Sequence, residues 1–241
     1  MMFYLDKTFA RPEENLACDE LLVEFCSSND GIECLRFWEP DNYFVVLGYG
    51  NRVSEEVFVE ECERCNVPIF RRISGGGCVL QGPGCLNYSL VLKISNNPQN
   101  LSTIPDTNRY VMNRTKRAIQ SVLGNNVKVS GITDLTIDGK KFSGNAQRRF
   151  NDYILYHGAF LLNMDISMIE RLLKIPPRQP CYRQNRTHRD FLININVQSL
   201  KIKESLKKEW GAYEGFDKVS YDKINKLAAE KYLNPEWNLK Y

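Results

Sequence analysis

The stretch Arg71-Arg72-Ile73-Ser74-Gly75-Gly76-Gly77 has the plainest chemical potential in the sequence. Consecutive glycines permit φ > 0 and let backbone N–H groups converge on an anion. Arginine beside them supplies charge suited to a carboxylate or phosphate. No G-x-x-x-x-G-K-[ST] is present, so this is not a Walker loop. A strand-like run follows the glycines, so it is not the dinucleotide fingerprint either. Adjacent arginines on an extended chain face opposite sides. One of Arg71 and Arg72 should therefore reach the ligand, leaving the other as a surface charge or salt-bridge partner. The plainer reading of the same glycines is a tight strand-to-strand connection. A second cluster, Gln81-Gly82-Pro83-Gly84-Cys85, stands where it could wall the same cavity.

The other chemical constellation is GITDLTIDGKKFSGNA, Gly131 to Ala146. If it is extended, Lys141 and Ser143 share a face and Phe142 points into the core. Lys141 is then the site candidate and Lys140 the solvent residue; a surface lysine is the plainer alternative. His157-Gly158 interrupts the apolar run YILYHGAFLL, where a hydrogen-bonded core histidine is the plainer reading. Cys62 and Cys65 form a CxxC, but a structural zinc needs four ligands. The sequence has no second CxxC and only 2 histidines, so these cysteines read as two positions on a helix.

These residues need a scaffold. The 241 residues suit one sizeable domain, with 43% hydrophobic and 25% charged residues, an ordinary globular composition. A net charge of +3 argues against a dedicated nucleic-acid binder. There is no secretory signal and no apolar run of membrane-spanning length. The 8 scattered cysteines read as free thiols of a cytoplasmic protein. Helices are predicted at Pro12–Cys26, Glu55–Cys65 and Asn108–Leu123, the last stopped by Gly124. A further helix is predicted at Ser167–Lys174, opened by an S-x-x-E capping box. Strands are predicted in GIECLRFWEP, YFVVLGY, Val67–Arg71, Leu86–Leu92 and Tyr153–Leu162. Short strands with a hairpin turn at Asp138-Gly139 fill Val127–Gly144. The polar loop NNPQNLSTIPDT follows Leu92, and two weak helical patterns lie beyond Ser199. Strands and helices mix without a βαβ rhythm, which predicts an α+β fold with a mixed, largely antiparallel sheet flanked by helices.

RRISGGG, then LNYS, then TDL…GKKFSGNAQRR…HGAFLLNMD, in this order and spacing, resembles the lipoate–protein ligase family within the biotin/lipoyl ligase and octanoyltransferase group. The resemblance covers roughly Asn15 to Asn163. It implies a catalytic domain like those of class II aminoacyl-tRNA and biotin synthetases. It places that domain at 1–199, with 200–241 as a short helical extension packed on it rather than a full accessory domain. It implies ATP-dependent activation of lipoate or octanoate with Mg²⁺, then transfer to a lysine of a lipoyl-acceptor domain. Such domains belong to 2-oxoacid dehydrogenase E2 chains and the glycine-cleavage H protein. A separate accessory protein is a further implied partner; nucleic acid and membrane are not. In site terms it implies Lys141 as the catalytic residue. Arg72, Ser74, Gly75, Gly76 and Gly77 then line the acyl-adenylate pocket, together with Asn87, Ser143, Gly144 and Ala146. Asp134 falls at a position associated with the nucleotide, and His157 and Gly158 lie beside the acyl tunnel.

The chain also departs from that pattern. Ligases of the family commonly read HDxGN where this chain has Gln81-Gly82-Pro83-Gly84-Cys85, keeping Asn87. The GPG resembles instead the transferases that pass octanoyl from a carrier protein through a cysteine thioester. Pro180-Cys181 stands about where one branch carries its nucleophile, but Tyr182 replaces the glycine that follows there. The other branch's cysteine would fall between Gly124 and Gly139, where this chain has none. A nucleophilic cysteine needs nearby positive charge, which Arg178, Arg183, Arg186 and Arg189 could supply to Cys181. The same basic run could dock an acidic acceptor domain, or be a solvated loop. The alternatives to a ligase are thus a Cys181 transferase and a non-catalytic lipoyl-adenylate-binding relative.

Overall fold

The computed structural model describes residues 1–95 and 101–241; residues 96–100 of the expected polar loop lie outside them. The strands are β1 (Met2–Asp6), β2 (Glu33–Trp38), β3 (Phe44–Leu47), β4 (Ile69–Arg71), β5 (Val79–Gln81), β6 (Cys85–Lys93), β7 (Lys128–Ser130), β8 (Asp134–Ile137), β9 (Lys140–Phe150), β10 (Tyr153–Leu161) and β11 (Glu214–Gly215). The helices are α1 (Pro12–Ser28), α2 (Val53–Glu56), α3 (Val59–Arg64), α4 (Ile104–Leu123), α5 (Ile166–Leu172), α6 (His188–Phe191), α7 (Ser199–Trp210), α8 (Tyr221–Leu227) and α9 (Pro235–Asn238). Among the described residues no helix is long and apolar enough to cross a membrane.

Eight strands form one mixed sheet in the order β11-β1-β2-β6-β10-β9-β8-β7. Its pairs are antiparallel except those of β1 with β2 and β11. A second sheet, β4-β3-β5, carries the glycine loop between β4 and β5. Side chains alternate across a strand, so the large sheet separates two cores. On one face Tyr88, Leu90, Ile154, Tyr156 and Phe160 pack with Val111, Met112 and Ile119 of α4 and Ile202 and Leu206 of α7. On the other, Val91 and Leu155 pack with Leu16, Leu22 and Val23 of α1. Each such aliphatic side chain contributes about 1.5–3 kcal/mol on full burial.

Local chemistry sets the boundaries. Thr103 caps α4 by accepting from Asp106 N at 3.2 Å, and Gly124 ends it at φ 86°. Pro105 suits the first turn, so the helix starts four residues before the predicted Asn108. Asp138 and Gly139 take φ 50° and 74°, which is the paired left-handed geometry of a tight hairpin. The helix predicted at Glu55–Cys65 is two helices, because Val57 is extended and bridges to Leu173. Cys62 and Cys65 fall on and just after α3. The capping-box reading at Ser167 is corrected. Asp165 is the cap, accepting from Ser167 N at 2.9 Å and Ser167 Oγ at 2.6 Å, which places Ser167 inside the first turn.

Candidate functional site

Arg72 shapes the glycine loop. Its guanidinium is buried and donates from Nε to Ser74 Oγ (3.0 Å), from Nη2 to the carbonyls of Gly75 (2.7 Å) and Gly77 (2.8 Å), and from Nη1 to Val46 O (3.2 Å). With these carbonyls drawn inward, the N–H groups of Gly75, Gly76 and Gly77 have no partner among the described residues, and all three glycines are exposed. Gly76 sits at φ +87°, and a left-handed residue within such a run makes a concave N–H nest for an anion. Burial lowers the Arg72 pKa to about 10, so at neutral pH it is a cation beneath that nest. Among the described residues no carboxylate forms a salt bridge with it.

Arg71 is neither a surface charge nor a salt-bridge partner. It is fully buried and donates to the carbonyls of Gly48 (2.8 Å), Asn51 (2.8 Å) and Asn238 (3.0 Å), while Asn238 Oδ1 accepts from its N–H at 2.9 Å. It therefore ties the 48–51 loop and the end of α9 to the back of the glycine loop. The 48–51 loop, Gly48-Tyr49-Gly50-Asn51, was missed by the sequence reading. Tyr49 N donates to Ser74 O at 2.8 Å, and a Cβ on Gly48 would overlap Gly76 O. The signal was available as a G-x-G-N run directly after a strand.

The hairpin of β8 and β9 positions Lys141. Its Nζ lies 2.8 Å from Asp134 Oδ1, and Tyr182 OH donates to Asp134 Oδ2 at 2.7 Å. Burial and the neighbouring Asp134 charge push the Tyr182 phenol well above its ordinary pKa, so it stays a donor. Gly144 leaves space for the lysine: a Cβ there would stand 2.7 Å from Lys141 Nζ. The expectation that Lys141 and Ser143 share a face is corrected. A bulge pairs Thr136 with Lys141 but Leu135 with Ser143, so the alternation breaks between them. Phe142 is buried in the α4-side core, and Ser143 pairs with Leu135 and Phe160 of that same core. Gly158 faces that side too, where a Cβ would collide with Asn145 Oδ1. Asn145, which the sequence reading did not single out, accepts from Tyr88 OH at 2.5 Å and donates to Thr133 O at 2.7 Å, next to Asp134.

His157 and Ala146 are cross-strand partners on the opposite face. His157 Nε2 lies 2.5 Å from Ser74 Oγ, joining β10 to the glycine loop. Ala146 Cβ is 3.4 Å from where a Cβ on Gly76 would be. The glycine loop, Ala146, Gly144 and Lys141 thus follow one line along β9. Behind His157, Asp19 of α1 places Oδ2 3.6 Å from Nδ1. Burial alone would raise the Asp19 pKa, but Arg36 at 2.5 Å, with His157, holds it below the usual carboxylate value. Asn87 is buried on this face in a reciprocal amide pair with Gln81 (2.7 and 2.9 Å).

Cys181 is exposed, and three of the four arginines around it are engaged elsewhere, while exposed Arg178 has no partner among the described residues. Arg183 is buried over the Phe191 ring, Arg186 donates to Gly139 O and Tyr182 O, and Arg189 pairs with Glu170 at 2.7 Å. Burial pushes the thiols of Cys18 and Cys62 up to about 11 and those of Cys26 and Cys85 up to about 12. Cys78, directly after the glycines, is raised further by burial and the Glu56 charge.

The family model for the lipoyl protein ligase A/B catalytic domain matches residues 11–208. The chain is 28% identical to octanoyltransferase LipM of Carboxydothermus hydrogenoformans, over 99% of this chain and 98% of that one. It is 26% identical to lipoate–protein ligase 1 of Staphylococcus aureus, over 99% of this chain and 73% of that one. A bipartite lipoate protein ligase of Thermoplasma acidophilum has the same fold, with a TM-score of 0.81 and 23% identity, covering 99% of this chain and 95% of that one.

Proposed function

The chain belongs to the lipoyl protein ligase A/B catalytic family, an enzyme family of lipoate ligases and octanoyltransferases, and within it we propose an ATP-dependent lipoate–protein ligase. The observation that carries this reading is the open amide nest of Gly75, Gly76 and Gly77 over buried Arg72, on the same face as Lys141. Attack of an acyl carboxylate on the α-phosphate of ATP forms an acyl-adenylate and releases pyrophosphate, and negative charge builds on phosphate oxygens. Preorganised N–H groups and a fixed ammonium stabilise such charge without reorganising. In the second step the acceptor amine attacks the acyl carbonyl, the acyl–phosphate bond breaks and AMP leaves. Lys141 can hold the phosphate and polarise that carbonyl.

Magnesium is read as part of the substrate, Mg·ATP. The carboxylate beside Lys141 is Asp134, both of whose oxygens already have partners. That suits an ion carried mainly by phosphates, the usual manner for Mg²⁺. The acceptors proposed are lipoyl domains of E2 chains or the H protein. The bipartite nature of the Thermoplasma relative supports a separate accessory chain as a second partner.

The transferase reading draws on the LipM similarity and on Pro180-Cys181. Against it stand the engagement of Arg183, Arg186 and Arg189 away from Cys181 and the raised thiols of the buried cysteines, since thioester formation needs a thiolate. Lipoate-dependent exchange between pyrophosphate and ATP tests the choice. The ligase reading expects exchange that requires lipoate. Its absence, with acyl transfer from octanoyl carrier protein in its place, would overturn it.

A further inference from the structure

The contact between His157 and Ser74 is one link of a longer polar chain. Arg72 Nε donates to Ser74 Oγ at 3.0 Å. The Ser74 hydroxyl proton therefore points elsewhere, and the acceptor within reach is His157 Nε2 at 2.5 Å. That nitrogen accepts only if it carries no proton, and a neutral imidazole then carries its proton on Nδ1. Nδ1 faces Asp19 Oδ2 at 3.6 Å. An Nδ1–H turned to a carboxylate is attractive, whereas an Nδ1 lone pair there would be repelled. Asp19 is itself fixed by Arg36 Nη1 at 2.5 Å on Oδ1 and by Ser89 Oγ at 2.8 Å on Oδ2. Arg36 is fully buried, and its Nη2 donates to Asn15 Oδ1 at 2.8 Å. The carboxylate that Nδ1 faces is thus itself fixed from the Arg36 end.

We propose that Asp19 is a positioning residue: it holds His157 in the Nδ1–H tautomer, so that Nε2 accepts from the Ser74 hydroxyl and fixes the start of the glycine loop. Asp19 touches neither the loop nor Lys141 and acts through the ring, because the partner of one imidazole nitrogen decides the protonation of the other. Ser74 is also held through its carbonyl by Tyr49 N, so the hydroxyl bond completes the anchoring of the residue that leads into the amide nest. The inference rests on the proposed function only for the reaction the loop serves; the tautomer is readable without substrate.

The test is a long-range ¹H–¹⁵N correlation spectrum of the full chain labelled with ¹⁵N-histidine, at pH 8. Only 2 histidines contribute, and a His157→Gln spectrum identifies the signals of His157. The proposal expects a protonated Nδ1 and an unprotonated Nε2 in the wild-type chain, and the same in Ser74→Ala, where Asp19 is intact. In Asp19→Asn the Nε2–H form should take over. Either substitution should raise the apparent KM for the acyl acid about fivefold, the worth of one hydrogen bond. An Nε2–H form in the wild type, or a switch to it in Ser74→Ala, would overturn the proposal. Should Asp19→Asn fail to fold, the wild-type and Ser74→Ala spectra decide alone. Absence of ligase activity would count against the function and leave the tautomer reading standing.

Discussion

Lys141 Nζ and Asp134 Oδ1 lie 2.8 Å apart across the hairpin of β8 and β9, and the space for that contact exists because residue 144 is glycine. The pair fixes where the ammonium stands before any substrate arrives. Preorganisation of this kind places a charge at the transition state at little reorganisation cost.

Lys141→Ala should therefore reduce adenylation by about 10²–10³-fold, the typical effect of losing one such donor. Thermal stability should stay near that of the parent, because the lysine is half-buried at the edge of the core. Lys141→Arg should not restore activity, since a planar guanidinium does not reproduce a point ammonium. Lipoate-dependent pyrophosphate exchange, with a melting curve alongside, measures both.

Gly144→Ala is the sharper probe. The new Cβ would stand 2.7 Å from Nζ and 2.8 Å from Cε of Lys141, so the lysine must move. Activity should fall at least about tenfold, because misplacing a catalytic group by about 1 Å can cost about 10²-fold. The far-UV circular dichroism spectrum should be unchanged.

Asp19→Ala removes the carboxylate facing Arg36, which is 0% exposed. Leaving that charge unpaired should cost about 3–5 kcal/mol, read from urea unfolding. The pH dependence follows from the sign of the shift. The folded-state pKa of Asp19 is lowered, so its stabilising contribution is complete above the ordinary carboxylate value of about 4 and is lost as pH falls through the folded value. The gap in stability between the parent and Asp19→Ala should shrink on acidification below about pH 4.

What could be read from the sequence was the chemistry carried by residue type and local spacing. The glycine run and the Asp138-Gly139 turn announce themselves because glycine freedom and hairpin geometry are properties of a few adjacent residues. Asp19 was not legible: in the sequence it looks like any surface carboxylate on a helix, and its partners Arg36 and His157 come from other elements. The anchoring of Arg71 by Asn238, 167 residues away, is equally invisible before folding. The bulge that turns Ser143 from the Lys141 face is a tertiary choice, so simple alternation placed it on the wrong side.

Cys181→Ser distinguishes the two chemistries of the family. If the chain is a ligase, acceptor modification should stay within about twofold of the parent, as expected for a surface substitution that removes no buried contact. A cysteine transferase would lose its acyl-enzyme and its activity together. Intact-mass analysis after exposure to octanoyl carrier protein would detect such an acyl-enzyme on Cys181 directly.

The most direct measurement combines the purified chain with an apo lipoyl domain, lipoate and Mg·ATP, and weighs the acceptor by mass spectrometry. The account predicts the gain of one lipoyl group on the acceptor, absent without ATP and lost in Lys141→Ala. An acceptor that stays unmodified with ATP, even when an accessory chain is supplied, yet gains an octanoyl group from octanoyl carrier protein in a Cys181-dependent manner, would contradict it.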